Sequence, residues 1–404
     1  MSAYWLHRPI KWLCVLLALG LLMPALLPTA YATATAQINA PELPRLESVG
    51  SLSAQSAVLI DADSGQILYG SQEDLRLPMA STTKIMTALC AVELGQVTDV
   101  ITVDARAVGI EGSSVYLYEG EQLTLSQLLY ALLLESANDA AVAIAIGLCG
   151  SVEQFVRHMN QKAEQLGLRD THFENPHGLD AETHYTTAAD LALIARAALA
   201  HPTLRTIVST RKTTIPLNGT QGVRSLLNHN KLLRNYPGAI GVKTGFTKRS
   251  GRCLVSAAER DGLTLIAVTL NAPDDWNDHT RLLDAGFAAY ERVVLCDDQE
   301  FQTMLGVAGG KEAYVLIRNQ QSVALTLPRN RGSMHATVEL NDRMLFAPVR
   351  AGTQVGTLTF RCDTDLDGDQ QTLASLPLCC VYGVERRDPP TLWQRIVGIF
   401  RRTQ

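Results

Sequence analysis

Ser81 and Lys84 put a hydroxyl and an amine three residues apart, at the head of the apolar run 85–94. If Ser81 opens a helix there, the two side chains stand one turn apart on one face. A serine hydroxyl is a weak nucleophile until a base takes its proton. A lysine serves as that base when burial and a neighbouring positive charge keep it neutral. The helix N-terminus assists twice: its dipole disfavours an ammonium, and the Ser81 N–H points outward, where an oxyanion would form. By itself, an S-x-x-K match is equally a capped helix with an exposed lysine.

Two further clusters change that weighting. Ser136-Ala137-Asn138 is a polar break between the apolar runs 125–134 and 140–148. Polar groups held between two buried helices need partners or a cleft. Lys243-Thr244-Gly245 lies in the strand-like run 238–247. A cation there can hold a substrate carboxylate and keep Lys84 neutral. Thr244 adds a hydroxyl, and Gly245 leaves room for close backbone approach. Singly, these clusters read as a helix cap and a turn. In the order S-x-x-K, S-x-N, K-T-G, they form the set of the penicillin-binding proteins and serine β-lactamases.

The stretches 80–88, 135–141, 175–180, 228–233 and 241–247 extend the match. Together they resemble the D-alanyl-D-alanine carboxypeptidases of the low-molecular-weight penicillin-binding class, over residues 55–290. That resemblance implies an α/β (α+β) transpeptidase-like domain with a central antiparallel sheet and an all-helical subdomain, followed by a small β-rich domain. It implies Ser81 as nucleophile, Lys84 as base and Ser136 as proton relay to the leaving group. It also implies Asn138 on the substrate amide, Lys243 and Thr244 on the substrate carboxylate, and the Ser81 and Phe246 N–H groups around the oxyanion, beside Gly245. The implied reaction removes the terminal D-alanine of peptidoglycan stem peptides, with β-lactams acylating Ser81 as mimics and no metal or cofactor required. The rivals are a β-lactamase, although no E-x-x-L-N pattern follows Asn138, a D,D-endopeptidase using the same chemistry, and a non-catalytic wall-binding scaffold. Phe246 stands where some members carry His, and His229 where some carry Arg; these departures bear on rate and drug affinity rather than on reaction class. His177 reads as a loop histidine bonded to backbone, since no Asp or Cys nearby completes a triad with it.

The elements that must position these residues are legible in outline. The segments 56–61 and 66–69 read as strands around the turn 62–65. Thr124 caps a buried helix, and Thr186 or Thr187 caps the helix 188–200. From 205 to 270 the pattern is β, with a hairpin around Arg260-Asp261-Gly262, and a long helix over 275–294 closes the domain. Short strands at regular spacing over 296–386 argue a β-sandwich. Asp363–Asp369 imitates a calcium loop, but Ala374 stands where the bidentate glutamate belongs, so a hairpin turn is the expectation.

At 404 residues, 47% hydrophobic and 19% charged, the chain has the composition of a globular protein. Its net charge of −5 gives no reason to expect nucleic acid as a partner. Residues 1–32 read as an export signal: Arg8 and Lys11, then an apolar stretch broken by Pro24 and Pro28, then small-x-small sites. Residues 33–50 read as a linker, 51–295 as the catalytic domain, 296–386 as the β-rich domain and 387–404 as an amphipathic anchor. In that last segment Leu392, Trp393, Ile396, Val397 and Phe400 share a helical face, with Arg395 and Arg402 opposite. These features place the enzyme outside the cytoplasm, peripheral on the outer face of the membrane. Seven cysteines remain beyond residue 32, at irregular spacing, and make no disulfide framework.

Overall fold

The computed structural model describes residues 35–217, 222–363, 370–389, 391 and 393. The expected signal peptide, the loop 364–369 and nearly all of the C-terminal amphipathic segment lie outside the described residues.

Five antiparallel strands make the central sheet, in the order Ile67–Ser71, Ser56–Asp61, Leu263–Leu270, Gly251–Arg260, Ala239–Thr247. The inner strands are apolar almost throughout because both faces of the sheet are covered. On one face Leu282, Leu283 and Phe287 of the helix Asp275–Ala289 pack against Leu59 and Leu265. On the other, Ile85 and Ala88 of Lys84–Leu94 and Leu191 of Ala188–Ala200 join Val58, Ile60 and Ile266. Asp261 and Gly262, at φ +49° and +79°, form the tight hairpin turn that the sequence signals.

The helices Leu125–Leu134, Asn138–Cys149 and Val152–Gln165 build the helical side of the domain. Thr124 accepts from the Gln127 N–H and the Gln127 side chain answers the Thr124 N–H, a full capping box. Thr187, the second of the two candidates, caps Ala188–Ala200.

The structure departs from the sequence expectations in three places. Residues 202–209 are helical, with Pro202 in the first turn, so the β region begins at Lys212 rather than at 205. The long helix stops at Ala289 instead of reaching 294, and Tyr290–Cys296 becomes a strand paired with Val323–Pro328. β-Branched Val293 and Val294 suit that strand, and the β-rich region therefore starts before the expected boundary at 295/296. Finally, residues 35–50 are no free linker. Gln37–Ile38 pairs with Gln370–Cys380, the Ala36 N–H donates to Gln321 Oε1 at 2.6 Å, and Leu43 and Val49 enter the catalytic core.

The C-terminal region is a seven-stranded sheet, ordered Met334–Leu340, Gln354–Asp363, Gln370–Cys380, Tyr314–Asn319, Gln302–Ala308, Leu345–Phe346, with Gln37–Ile38 on Gln370–Cys380. The two-stranded ribbon Tyr290–Cys296 and Val323–Pro328 packs on it through Val323, Leu325 and Leu327 against Leu358, Leu373 and Leu376, giving the two layers of a sandwich. A buried bond from Thr326 Oγ1 to Asp61 Oδ1 at 2.9 Å, with an Arg292–Asp63 ion pair, ties this region to the catalytic domain.

Candidate active site

Ala80–Thr83 is a 3-10 turn that runs directly into Lys84–Leu94. Ser81 therefore sits in that turn, and the α-helix proper begins at Lys84; the one-turn spacing of the pair survives. Ala80 adopts φ +47°, a left-handed conformation disfavoured for a residue with a side chain. The surroundings hold it there. Thr82 Oγ1 donates to the Met79 carbonyl at 2.6 Å and Thr83 Oγ1 to the Ala80 carbonyl at 2.8 Å. His184 Nε2 lies 2.8 Å from Thr83 Oγ1.

Two glycines let other backbone segments close on this turn. A Cβ on Gly178, at φ +90°, would lie 2.0 Å from the Ala80 carbonyl oxygen, so only glycine fits. A Cβ on Gly245 would lie 3.1 Å from the Ser81 nitrogen and 3.2 Å from the Met79 oxygen. The strand Ala239–Thr247 thus passes hard against residues 79–81, which brings Lys243, Thr244, Gly245 and Phe246 beside the serine.

Lys84 is fully buried, and its Nζ has three oxygen neighbours: Ser81 Oγ at 2.9 Å, Asn138 Oδ1 at 2.7 Å and the His177 carbonyl at 2.5 Å. Asn138 Nδ2 donates to the Glu111 carbonyl at 2.5 Å, which turns Oδ1 toward the lysine. Two of the three neighbours, Asn138 Oδ1 and the His177 carbonyl, can only accept. A neutral amine has two N–H donors and one lone pair. With both donors spent on the acceptor-only oxygens, the lone pair is left for the Ser81 hydroxyl, which can donate. The geometry is that of a base poised on its nucleophile.

The electrostatics agree. Burial, and then the charge of Lys243, hold the Lys84 pKa well below its usual value, with Asp139 opposing. Burial pushes Lys243 down to about 7, against the pull of Glu135. Glu135 is shared, accepting from the Leu227 N–H at 2.5 Å and contacting His229 Nε2 at 3.1 Å. Lys243 Nζ donates to the Thr244 carbonyl at 2.8 Å. Ser136 is buried at φ +61° and makes no hydrogen bond to Lys84; the lysine bonds Asn138 instead. The Phe246 ring is 66% exposed at the mouth of the site.

Sequence reading missed several supports. Buried Asp139 accepts from Ser114 Oγ at 2.6 Å and from the Leu117 N–H at 3.0 Å, folding the loop 113–117 over the site. Buried Glu121 takes both Arg224 NH groups, while Arg224 Nε reaches the Val115 carbonyl at 2.8 Å. An aspartate in the first turn of a helix is a readable signal. A partner 103 positions away, as in the Glu121–Arg224 pair, and a backbone carbonyl, as at His177, are not. His177 itself fulfils the structural expectation, its Nδ1 accepting from the Leu179 N–H at 3.2 Å.

Fold and site together define a serine hydrolase built on a penicillin-binding-protein fold. Residues 42–274 match the D-alanyl-D-alanine carboxypeptidase family. DacF of Bacillus subtilis is 32% identical over 85% of this chain and 89% of its own length. DacC of Escherichia coli is 33% identical over 89% of this chain and 88% of its own length. Penicillin binding protein 5 from Haemophilus influenzae superimposes with a TM-score of 0.62, at 30% identity over 83% of this chain and 98% of that one. The chain belongs to the D-alanyl-D-alanine carboxypeptidase family and is a serine hydrolase of that type.

Proposed function

We propose that this enzyme removes the terminal D-alanine from peptidoglycan stem peptides, outside the cytoplasm, through an acyl-enzyme on Ser81. The observation that carries the residue assignment is the Lys84 Nζ contact to Ser81 Oγ at 2.9 Å, with both other lysine partners acceptor-only. Lys84 takes the Ser81 proton as the hydroxyl oxygen attacks the carbonyl between the last two D-alanines. The Ser81 and Phe246 N–H groups receive the developing oxyanion across the narrow gap that Gly245 permits. Ser136 carries the proton to the departing amine, and Asn138 holds the substrate amide. Lys243 and Thr244 bind the terminal carboxylate. Water then releases the acyl group, and Ser81 is free again. A β-lactam presents a strained amide and a carboxylate in the same arrangement, and acylates the same oxygen.

The same reading gives residues 1–32 as an export signal, a catalytic domain that ends with the helix at Ala289, a β-rich domain from Tyr290 to residue 386, and 387–404 as a segment lying on the membrane surface. The apolar face formed by Leu392, Trp393, Ile396, Val397 and Phe400 supports the last assignment.

The test is D-alanine release from a pentapeptide, alongside penicillin labelling. Ser81→Ala is expected to lose both, with the rate falling roughly 10⁴-fold or more, while the melting temperature stays put. Release that persists in Ser81→Ala would overturn the nucleophile assignment. Labelling without release in the parent would favour an endopeptidase or a binding protein.

A further inference from the structure

The C-terminal sheet carries an apolar strip that none of the catalytic steps uses. In Gln302–Ala308, Leu305 and Val307 face the core, and in Tyr314–Asn319, Val315 and Ile317 do. The register pairs Met304 with Leu316 and Gly306 with Tyr314, so these four share the outer face. Phe346 pairs alongside Ala308, and the Met344 side chain lies 3.8 Å from where a Cβ on Gly306 would stand. Met304, Tyr314, Met344 and Phe346 are 52, 58, 51 and 79% exposed, adjacent to one another on one side of the sheet. A contiguous exposed apolar surface of this kind marks a contact site.

Where the chain leaves the fold indicates what the strip meets. The Arg387 N–H donates to the Gly309 carbonyl at 2.8 Å, and Gly310 bridges Arg386. Residues 386–387 are thus pinned directly beyond Ala308, next to Phe346, and the amphipathic segment follows within a few residues. Arg343, Arg386 and Arg387 are exposed around the strip, interleaved with exposed Glu312, Asp342, Glu385 and Asp388, so the apolar side chains rather than net charge would make the contact. A short amphipathic segment holds a membrane only reversibly, and stable attachment takes a second contact.

We infer that the strip Met304–Tyr314–Met344–Phe346 is a second membrane-contact surface, laying the C-terminal sheet on a lipid bilayer through its apolar side chains. This rests on the reading of residues 387–404 as membrane-facing. Two contact points, unlike one tether, fix the tilt of the sheet and hence the height of the catalytic cleft above the lipid.

The test uses the chain from residue 33 onward and sedimentation with phosphatidylethanolamine–phosphatidylglycerol vesicles. Met344→Ser combined with Phe346→Ser is expected to weaken vesicle binding about tenfold, with D-alanine release and melting temperature unchanged. Ending the chain after Pro389 should weaken binding further and leave a residue of binding that the double substitution abolishes. Unchanged binding by the double variant overturns the inference; if truncation still abolishes binding, the tail anchor stands alone. Loss in the double variant with no effect of truncation supports the strip and sinks the tail reading. Tighter binding by the double variant would mean that the strip docks the chain's own tail. A lipid-free dimer that the double variant converts to monomers would mean that it docks a second copy. Either outcome overturns the membrane assignment.

Discussion

The catalytic domain and the C-terminal sheet bury different things. Around Ser81 the interior holds Lys84, Lys243, Asp139, Glu121, Asn138, Asn228, Asn230 and His184, and beneath the central sheet lie Asp278 and His279. In the C-terminal sheet and the ribbon packed on it, the only buried polar side chains among the described residues are Asn319, Thr326 and Thr359. Its ion pairs, such as Lys311–Glu385, lie at the surface. Buried charge costs stability unless it is paired and hydrogen-bonded. One domain accepts that cost and uses it to hold the Lys84 pKa well below its usual value, whereas the other is a plain apolar sandwich. Function and stability should therefore respond to different perturbations in the two regions.

The sharpest way to break that contrast is to remove the second buried cation. Lys243→Met takes away the proposed carboxylate partner and the charge that helps hold Lys84 neutral. kcat/KM is expected to fall about 10²- to 10³-fold. The acid limb of the pH–rate profile should move upward, because Lys84 would then keep its proton to higher pH. A profile that drops in height without shifting would show that Lys243 does not tune the base.

Next in size is the anchor of the loop 113–117. Asp139→Ala strands the donors of Ser114, Val115 and Leu117, and should lower unfolding stability by about 3 kcal/mol. It should also raise KM through the loosened loop. A stability loss below about 1 kcal/mol would mean that Arg224 alone holds the loop.

Acid should separate the domains by a smaller amount. Burial holds His279 at about 3 and His184 at about 4, below the ordinary histidine value of 6.5. The unfolded chain thus binds protons first. The stability contributed by their neutral forms is intact above pH 6.5 and is lost as pH falls from there toward 3–4. The loss is roughly 1–2 kcal/mol for each histidine by pH 5. Hydrogen exchange at pH 7 and pH 5 should show protection falling more over Leu254–Ala258 than over Leu373–Leu378. Equal loss in both would remove the contrast.

The smallest effect is expected at the junction. Thr326→Val deletes the buried hydroxyl bond to Asp61, which keeps its bonds from Ser64. The expected cost is about 1 kcal/mol, with D-alanine release unchanged. A large activity loss would show that the two domains are coupled through this contact.

The chemistry was readable from the chain because it is local in kind. Ser81 and Lys84 share a helical turn, Ser136 and Asn138 share a break between helices, and Lys243 to Phe246 share one strand. The apolar runs, the Thr124 cap and the Thr186-Thr187 pair located the helices, and the Asp261-Gly262 turn located the hairpin, since propensity and capping act over a few residues. What lay beyond reach depends on distant groups meeting. The helix at 202–209 and the strand from Tyr290 follow from packing against neighbours far along the chain, and the strap at 35–50 follows from the part of Gln370–Cys380 that Tyr314–Asn319 leaves unpaired. The direction of the Lys84 lone pair was decided by Asn138, 54 positions away, and by a carbonyl 93 positions away that has no residue signature. The sequence by itself determined the family and singled out the groups proposed to carry the reaction, in the order in which they come. The tertiary structure decided their protonation and aim, because desolvation and hydrogen-bond partners belong to the folded interior and not to any stretch of chain.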